Sequence, residues 1–264
     1  MTSKGLFSLD GKKILVTGAA GHLGRALCEY LVSDGAVVFA VDIDTTALNR
    51  LQKELSPLGE PVVVLSADLA DEVSRVSLAE AVIEHTQHLD GVVFGAAFVG
   101  TSSLDGWAAN FTDQSLASWR AALELNLTAP FHLSQLLVSL LRRGTNPVIV
   151  NIGSIYGSIA PDWKLYEGLS MANPAAYGAS KGGLIQLTRW LASVLAPDIR
   201  VNLVSPGGIV RDQPVEFVER YNQRSHLGRM ATEQDVVGQI VNLLSRASGY
   251  VTGQVITVDG GFSV

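Results

Sequence analysis

Lys12-Lys13-Ile14-Leu15-Val16-Thr17-Gly18-Ala19-Ala20-Gly21-His22-Leu23-Gly24 is the stretch whose reading decides the fold. It begins as a short buried strand and stops at a glycine. An apolar-periodic helix is expected from Arg25 to Ser33, and a second strand from Ala36 to Val41, ending at Asp42. The order is strand, glycine-rich turn, helix, strand, acid. Asp42 lies 24 residues after Gly18 (42 − 18). That spacing fits a dinucleotide crevice, where glycines let the backbone approach a pyrophosphate and a helix N-terminus attracts its charge. A carboxylate at Asp42 would bind the adenosine ribose hydroxyls and repel a 2′-phosphate. Ile43 and Asp44 beside it carry no positive charge, so NAD is expected ahead of NADP. Asp42 could instead simply cap the next helix.

The same alternation continues outward. A helix is expected over Thr45 to Leu55, a strand over Val62 to Leu65, and a helix from Asp71 to His85. Asp68-Leu69 lie just past the third strand. Asp68 could bond an adenine amino group, cap that helix, or do both. Val92-Val93-Phe94 is a fourth strand, and the small residues Gly95-Ala96-Ala97 leave room for a ribose. A long helix is expected from Leu116 to Leu141, kinked near its middle by Pro130. It carries Asn126 among leucines, where spacing alone suggests a solvent-facing or self-bonded amide. Val148 to Ile152 is a fifth strand ending at Gly153-Ser154. Further expected elements are a helix from about Tyr177 through Leu195, a strand over Ile199 to Val204, a helix over Glu233 to Leu244 and a strand over Val255 to Val258. Strands alternating with helices indicate an α/β Rossmann-like, doubly wound parallel sheet of roughly seven strands with helices on both faces. No repeat or linker breaks it, so a single domain over 1–264 is expected.

Tyr177-Gly178-Ala179-Ser180-Lys181 carries the chemistry. Helical geometry puts Tyr177 and Lys181 on one face, a turn apart. An ammonium ~4 Å from a phenol at an effective dielectric of ~20 offers at most about 4 kcal/mol. That would lower the tyrosine by up to roughly 3 pKa units from its usual ~10, toward the range a general acid or base needs. Alone the pair is a weak signal, because tyrosine and lysine one turn apart occur on many helices.

The chain has 264 residues, a formal net charge of −6 and 47% hydrophobic content. The acidic balance argues against general nucleic-acid binding. One cysteine, Cys28, rules out an internal disulfide and reads as a small core hydrophobe. Residues 1–13 show no apolar signal core, and no uncharged stretch reaches membrane-spanning length. A cytoplasmic protein without membrane partners is expected. His85, His88, His132 and His226 lack metal-ligand spacing, so no metal is expected.

Together these motifs resemble the short-chain dehydrogenase/reductase family over nearly the whole chain. Thr17-Gly18 to Gly24 is similar to its glycine motif, Asn126 to its helix asparagine, Ser154 to its active-site serine, and Tyr177 with Lys181 to its catalytic pair. Pro206-Gly207 resembles its turn after a strand, and Asp259-Gly260-Gly261 its C-terminal ending. The resemblance implies hydride transfer between a nicotinamide cofactor and a secondary alcohol or ketone. Tyr177 would move the proton, Ser154 hold the substrate oxygen, Lys181 tune the tyrosine and bind the nicotinamide ribose, and Asn126 hold a water. The implied cofactor contacts are Gly18, Ala20, Gly21, His22, Leu23, Gly24, Asp42, Asp68, Leu69, Ala96, Tyr177, Lys181, Pro206, Gly207 and Ile209. A homotetramer or homodimer is implied as well.

Three departures stand out. His22 occupies the middle-glycine position and is expected to point outward. Phe94-Gly95-Ala96-Ala97 replaces an Asn-Asn-Ala-Gly stretch, so the bracing of the sheet must differ. Ser154 and Tyr177 are separated by 22 residues (177 − 154 − 1), more than is usual in the family. This insertion, about 155–176, is similar to that of a bacterial subgroup associated with sugar modification for surface glycans. Tyr156, Trp163 and Tyr166 are the expected substrate contacts; Trp163 could stack on a sugar or close an apolar pocket. The polar, irregular stretch 209–230 is expected to be a mobile lid, its arginines suggesting an anionic substrate or merely a solvated face. The leading expectation is an NAD-dependent oxidoreductase of a sugar or nucleotide-sugar derivative. An acyl-thioester ketoreductase, a general alcohol dehydrogenase and a non-catalytic dinucleotide sensor remain open.

Overall fold

The computed structural model describes residues 3–59, 61–99, 102 and 104–264. The reading of residues 1–13 therefore falls, at Met1 and Thr2, partly outside them. The element order is α1 (Ser3–Phe7), β1 (Lys13–Thr17), α2 (His22–Ser33), β2 (Val37–Asp42), α3 (Thr45–Leu55), β3 (Val62–Ser66), α4 (Glu72–His85) and β4 (Gly91–Phe94). After these come α5 (Leu116–Leu123), a π-helical turn (Glu124–Thr128), α6 (Ala129–Leu141), β5 (Val148–Ile152), α7 (Ala175–Leu195), β6 (Arg200–Pro206), α8 (Val215–Arg224), α9 (Glu233–Leu244) and β7 (Val255–Val258). All strand pairs are parallel, in the order β3-β2-β1-β4-β5-β6-β7. The chain is a Rossmann-like α/β domain.

Successive strand residues face opposite ways, so alternate positions feed two cores. Ile14, Val16 and Val38 pack with Leu27 and Leu31 of α2, Leu48 and Leu51 of α3, and Val236 and Ile240 of α9. Leu15, Phe39 and Val92 pack on the other face with Leu78 and Val82 of α4, Leu133 and Leu137 of α6, and Leu191 of α7. Each fully buried side chain of this size contributes roughly 1.5–3 kcal/mol. The strand order reverses between β1 and β4, which opens a crevice at their carboxyl ends.

The long helix expected over Leu116 to Leu141 is three segments. Pro130 has no N–H to close an α-helical bond to the Asn126 carbonyl. The chain widens just before it into the π turn, where the Ala129 N–H reaches the Glu124 carbonyl. The interruption expected of Pro130 thus takes the form of a π turn carrying Asn126.

Helix α2 sits so close to β1 that a Cβ on Gly24 would lie 2.0 Å from the Gly18 carbonyl oxygen. Gly238, inside α9, has nothing within 4 Å of its notional Cβ. We expect Gly24→Ala to cost about 1–3 kcal/mol or more through overpacking. Gly238→Ala should add about 0.5–1 kcal/mol by raising helix propensity. Thermal unfolding checks both, and an unchanged Tm for Gly24→Ala would contradict the close packing.

Candidate active site

β5 delivers the first functional groups. Lys181 on α7 is 3% exposed, and its Nζ donates to the Ile152 carbonyl at the end of β5 at 2.7 Å. Ser154, two residues on, accepts from the Tyr156 N–H at 3.2 Å and caps the turn Ile155–Gly157. Tyr177 lies one turn before Lys181, whose Nζ is 5.9 Å from the centre of its ring. Ser154, Tyr177 and Lys181 therefore meet at the carboxyl end of β5.

Their ionisation differs from the sequence expectation. Tyr177 is crowded by protein, and loss of water raises its pKa, an effect the neighbouring Ser154 hydroxyl partly reverses. Burial also pushes Lys181 down from 10.5 to about 8. Burying both groups disfavours their charged forms, a cost that the bare attraction between ammonium and phenolate leaves out.

Asn126 is 1% exposed, not solvent-facing. Its Oδ1 accepts from the Phe98 N–H at 2.8 Å, and its Nδ2 donates to the Phe98 carbonyl at 3.1 Å and the Ser180 hydroxyl at 3.0 Å. It fastens the loop after β4 to α7, between Tyr177 and Lys181.

Around the crevice, Gly18 has φ of +69°, and a Cβ there would be 2.8 Å from the Ala96 nitrogen. Helix α2 begins at Gly21 with no side-chain cap, so first-turn N–H groups at His22, Leu23 and Gly24 remain available to an anion. His22 is exposed, as its position in the turn suggested. The Asp42 carboxylate accepts from the Ala20 N–H at 3.0 Å and the Asp44 N–H at 3.1 Å. The capping of α3 belongs to Asp44, which accepts from Ala47, and not to Asp42. Likewise Asp71, not Asp68, caps α4; Asp68 accepts from the Ala70 N–H. Leu69 gives its carbonyl to Arg75. Pro206 closes β6, the Gly207 N–H bonds the Val258 carbonyl, and Ile209 pairs with Ala231. The open N–H groups, the close-approach glycines and the carboxylate at the end of β2 fit a dinucleotide.

A cavity of about 1150 Å³ has a lining that includes Tyr156, Trp163, Tyr166, Asn173 and Gly178; it reaches the neighbours of Ser154 and Tyr177 in sequence, but Ser154, Tyr177 and Lys181 themselves are not part of that lining. The Tyr156 and Tyr166 hydroxyls are 2.9 Å apart. The lining also takes in residues of the 108–114 segment, among them Phe111 and Gln114, which sequence reasoning missed. Gln114 also accepts from the Ala175 N–H, fixing the start of α7.

A family model described as enoyl-(acyl carrier protein) reductase matches residues 18–263. Post-translational flagellin modification protein A of Campylobacter coli is 30% identical, over 97% of this chain and all of its own length. The Pseudomonas aeruginosa RhlG/NADP active-site complex superposes with a TM-score of 0.87 at 30% identity, covering 98% of this chain and 99% of the other. A short-chain dehydrogenase from Leptospira borgpetersenii with bound NAD+ gives 0.84 at 30% identity, covering 97% and 94%. The chain belongs to the short-chain dehydrogenase/reductase family. It is an NAD(P)-dependent oxidoreductase. No described helix is long and apolar enough to cross a membrane.

One departure from the short-chain dehydrogenase/reductase pattern and the expected 209–230 lid find their physical account. The Thr17 hydroxyl accepts from the Gly95 and Ala96 N–H groups at 3.1 and 3.2 Å, bracing β4 where the family's asparagine is absent. The 209–230 stretch is not irregular: it contains α8, whose Phe217 and Tyr221 are buried. Its arginines have partners within the chain. Arg211 pairs with Glu233, Arg229 with Asp235, and Arg224 lies over the Phe262 ring. Arg220 donates to the carbonyls of Lys164, Leu165 and Glu167.

The lysine gives a pH signature. Its pKa is about 8 folded and 10.5 ordinarily, so between those values the unfolded chain binds more protons and stability rises with pH. Below about 8 the cost of burying the ammonium is fully present. We expect the unfolding free energy of the parent, relative to Lys181→Met, to climb across this window and to be flat below it. Denaturant melts at several pH values check this; a flat difference throughout would contradict the buried ammonium.

Proposed function

We propose that this protein is an NAD-dependent dehydrogenase that interconverts a secondary alcohol and a ketone on a sugar derivative, in the modification of surface glycans. The observation that carries the reading is the meeting of Ser154, Tyr177 and Lys181 at the end of β5. NAD is favoured by Asp42, whose carboxylate would repel a 2′-phosphate. A sugar is favoured by the paired phenols of Tyr156 and Tyr166, which present hydroxyls to a polyhydroxylated ligand, and by Trp163, 58% exposed at the cavity. The similarity to a flagellin modification protein points the same way. A cytoplasmic homodimer or homotetramer completes the proposal.

The chain's own groups account for the proton. The nicotinamide supplies the hydride acceptor or donor. The Ser154 hydroxyl holds the substrate oxygen. With its raised pKa, Tyr177 is a phenol at neutral pH, the form that protonates a ketone oxygen; oxidation needs the phenolate and should quicken as pH rises. Lys181 supplies a charge near the phenol and ties α7 to β5. Asn126 keeps Ser180 and the Phe98 backbone in register with that pair.

A second reading, an acyl-thioester ketoreductase, is favoured by the apolar residues Phe111, Ile159, Leu169 and Met171 in the cavity and by the family description. One steady-state comparison decides. Sugars and polyols, and 3-oxoacyl thioesters, are assayed with NAD(H) and NADP(H) on the parent and Asp42→Ala. We expect turnover of a sugar with NAD, and a relaxed cofactor preference in the variant. Preference of the parent for NADPH and a thioester would overturn both the cofactor and the substrate assignments.

A further inference from the structure

Helix α8 touches both halves of the site. On the substrate side, the Arg220 guanidinium reaches three backbone carbonyls of the insertion, the shortest contact being 2.7 Å to Glu167. An aromatic ladder runs alongside. Trp163 meets Tyr166 at 5.8 Å, Tyr166 meets Phe217 at 5.4 Å, and Phe217 meets Tyr221 at 6.1 Å. Tyr221 then stacks on Phe262 at 4.5 Å with 17° between the rings.

On the cofactor side, the Tyr221 hydroxyl accepts the Gly208 N–H at 2.6 Å. A Cβ on Gly207 would lie 2.6 Å from that hydroxyl, and one on Gly208 would lie 2.8 Å from the Tyr221 ring. The turn after β6 therefore has no slack against α8. Tyr221 is 2% exposed, and burial pushes its phenol to about 12, so it stays protonated at neutral pH.

We infer that Tyr221 is a positioning residue that transmits the docking of the insertion to the Pro206–Gly208 turn, so that the substrate side and the dinucleotide side tighten together. The inference rests on the reading of that turn as a cofactor contact. It assigns Tyr221 no contact with substrate and no part in proton transfer. A fixed insertion holds α8, α8 holds the Gly208 amide, and the turn keeps the shape a dinucleotide meets.

The test is a double-mutant cycle read by NADH binding, with turnover not required. Fluorescence titration gives the NADH affinity of the parent, Arg220→Met, Tyr221→Phe and the double variant, with Tm recorded for each. Each single variant should lose about fivefold in affinity, the size of one net hydrogen bond. The double variant should lose no more than Tyr221→Phe alone, because the route is already cut. Arg220→Lys, which keeps a donor, should recover part of the loss. Additive losses, or a lowered Tm with NADH affinity unchanged in Arg220→Met, would overturn the inference while leaving the cofactor site intact. Failure of the parent to bind NADH would overturn the cofactor reading and this inference with it.

Discussion

A lysine ammonium held against the last carbonyl of β5 is the contact on which the site depends. A buried cation needs a partner, and Lys181 finds it in the Ile152 oxygen at 2.7 Å. The bond fixes where α7 crosses the sheet. Tyr177, one turn earlier, is thereby held beside Ser154, two residues past the same carbonyl. The backbone allows the approach because Gly157 packs against the Lys181 backbone, where a Cβ would lie 2.8 Å from its carbonyl carbon. Burial is also what shifts both groups, raising the phenol and lowering the ammonium, so a single location governs geometry and ionisation together.

Two supports keep that corner in place. From the β4 side, Asn126 bonds both polar groups of the Phe98 backbone and reaches Ser180 on α7. From the β1 side, the Thr17 hydroxyl gathers the Gly95 and Ala96 amides, so the floor of the dinucleotide crevice and the loop leading to Phe98 form one piece. Arg75 extends this outward. Buried at 2% exposure, it joins the Leu69 carbonyl, His132 on α6 and Glu124 on the π turn. The expected adenine side of the crevice and the turn that carries Asn126 are thus fastened through one guanidinium.

Much of this was legible in the chain because it is local. Short continuous apolar runs gave the strands, and glycine spacing gave the turn at Gly18–Gly24. The four-residue step from Tyr177 to Lys181 gave their shared face. What escaped depends on distant partners. Asn126 looked like a solvated amide because its bonds go to Phe98 and Ser180, 28 and 54 residues away. The arginines of 209–230 read as an anion site or a solvated face, and the docking of Arg220 escaped because its acceptors lie 53 to 56 residues back, in the insertion. The apolar pair Phe217 and Tyr221, one helical turn apart, was the available sign that this stretch forms a packed helix. Pro130 marked the interruption before α6, but the π form follows from a missing N–H that the helix had to accommodate.

The central claim is that Tyr177 moves the proton while the nicotinamide moves the hydride. Its most direct measurement is turnover by Tyr177→Phe, which deletes one hydroxyl and leaves the ring, set beside NADH binding by the same preparation. The account predicts a loss of about 10²–10⁴-fold in turnover, the range for removing a general acid or base. NADH affinity should stay within about threefold, well under 1.4 kcal/mol. Equal turnover by variant and parent would contradict it.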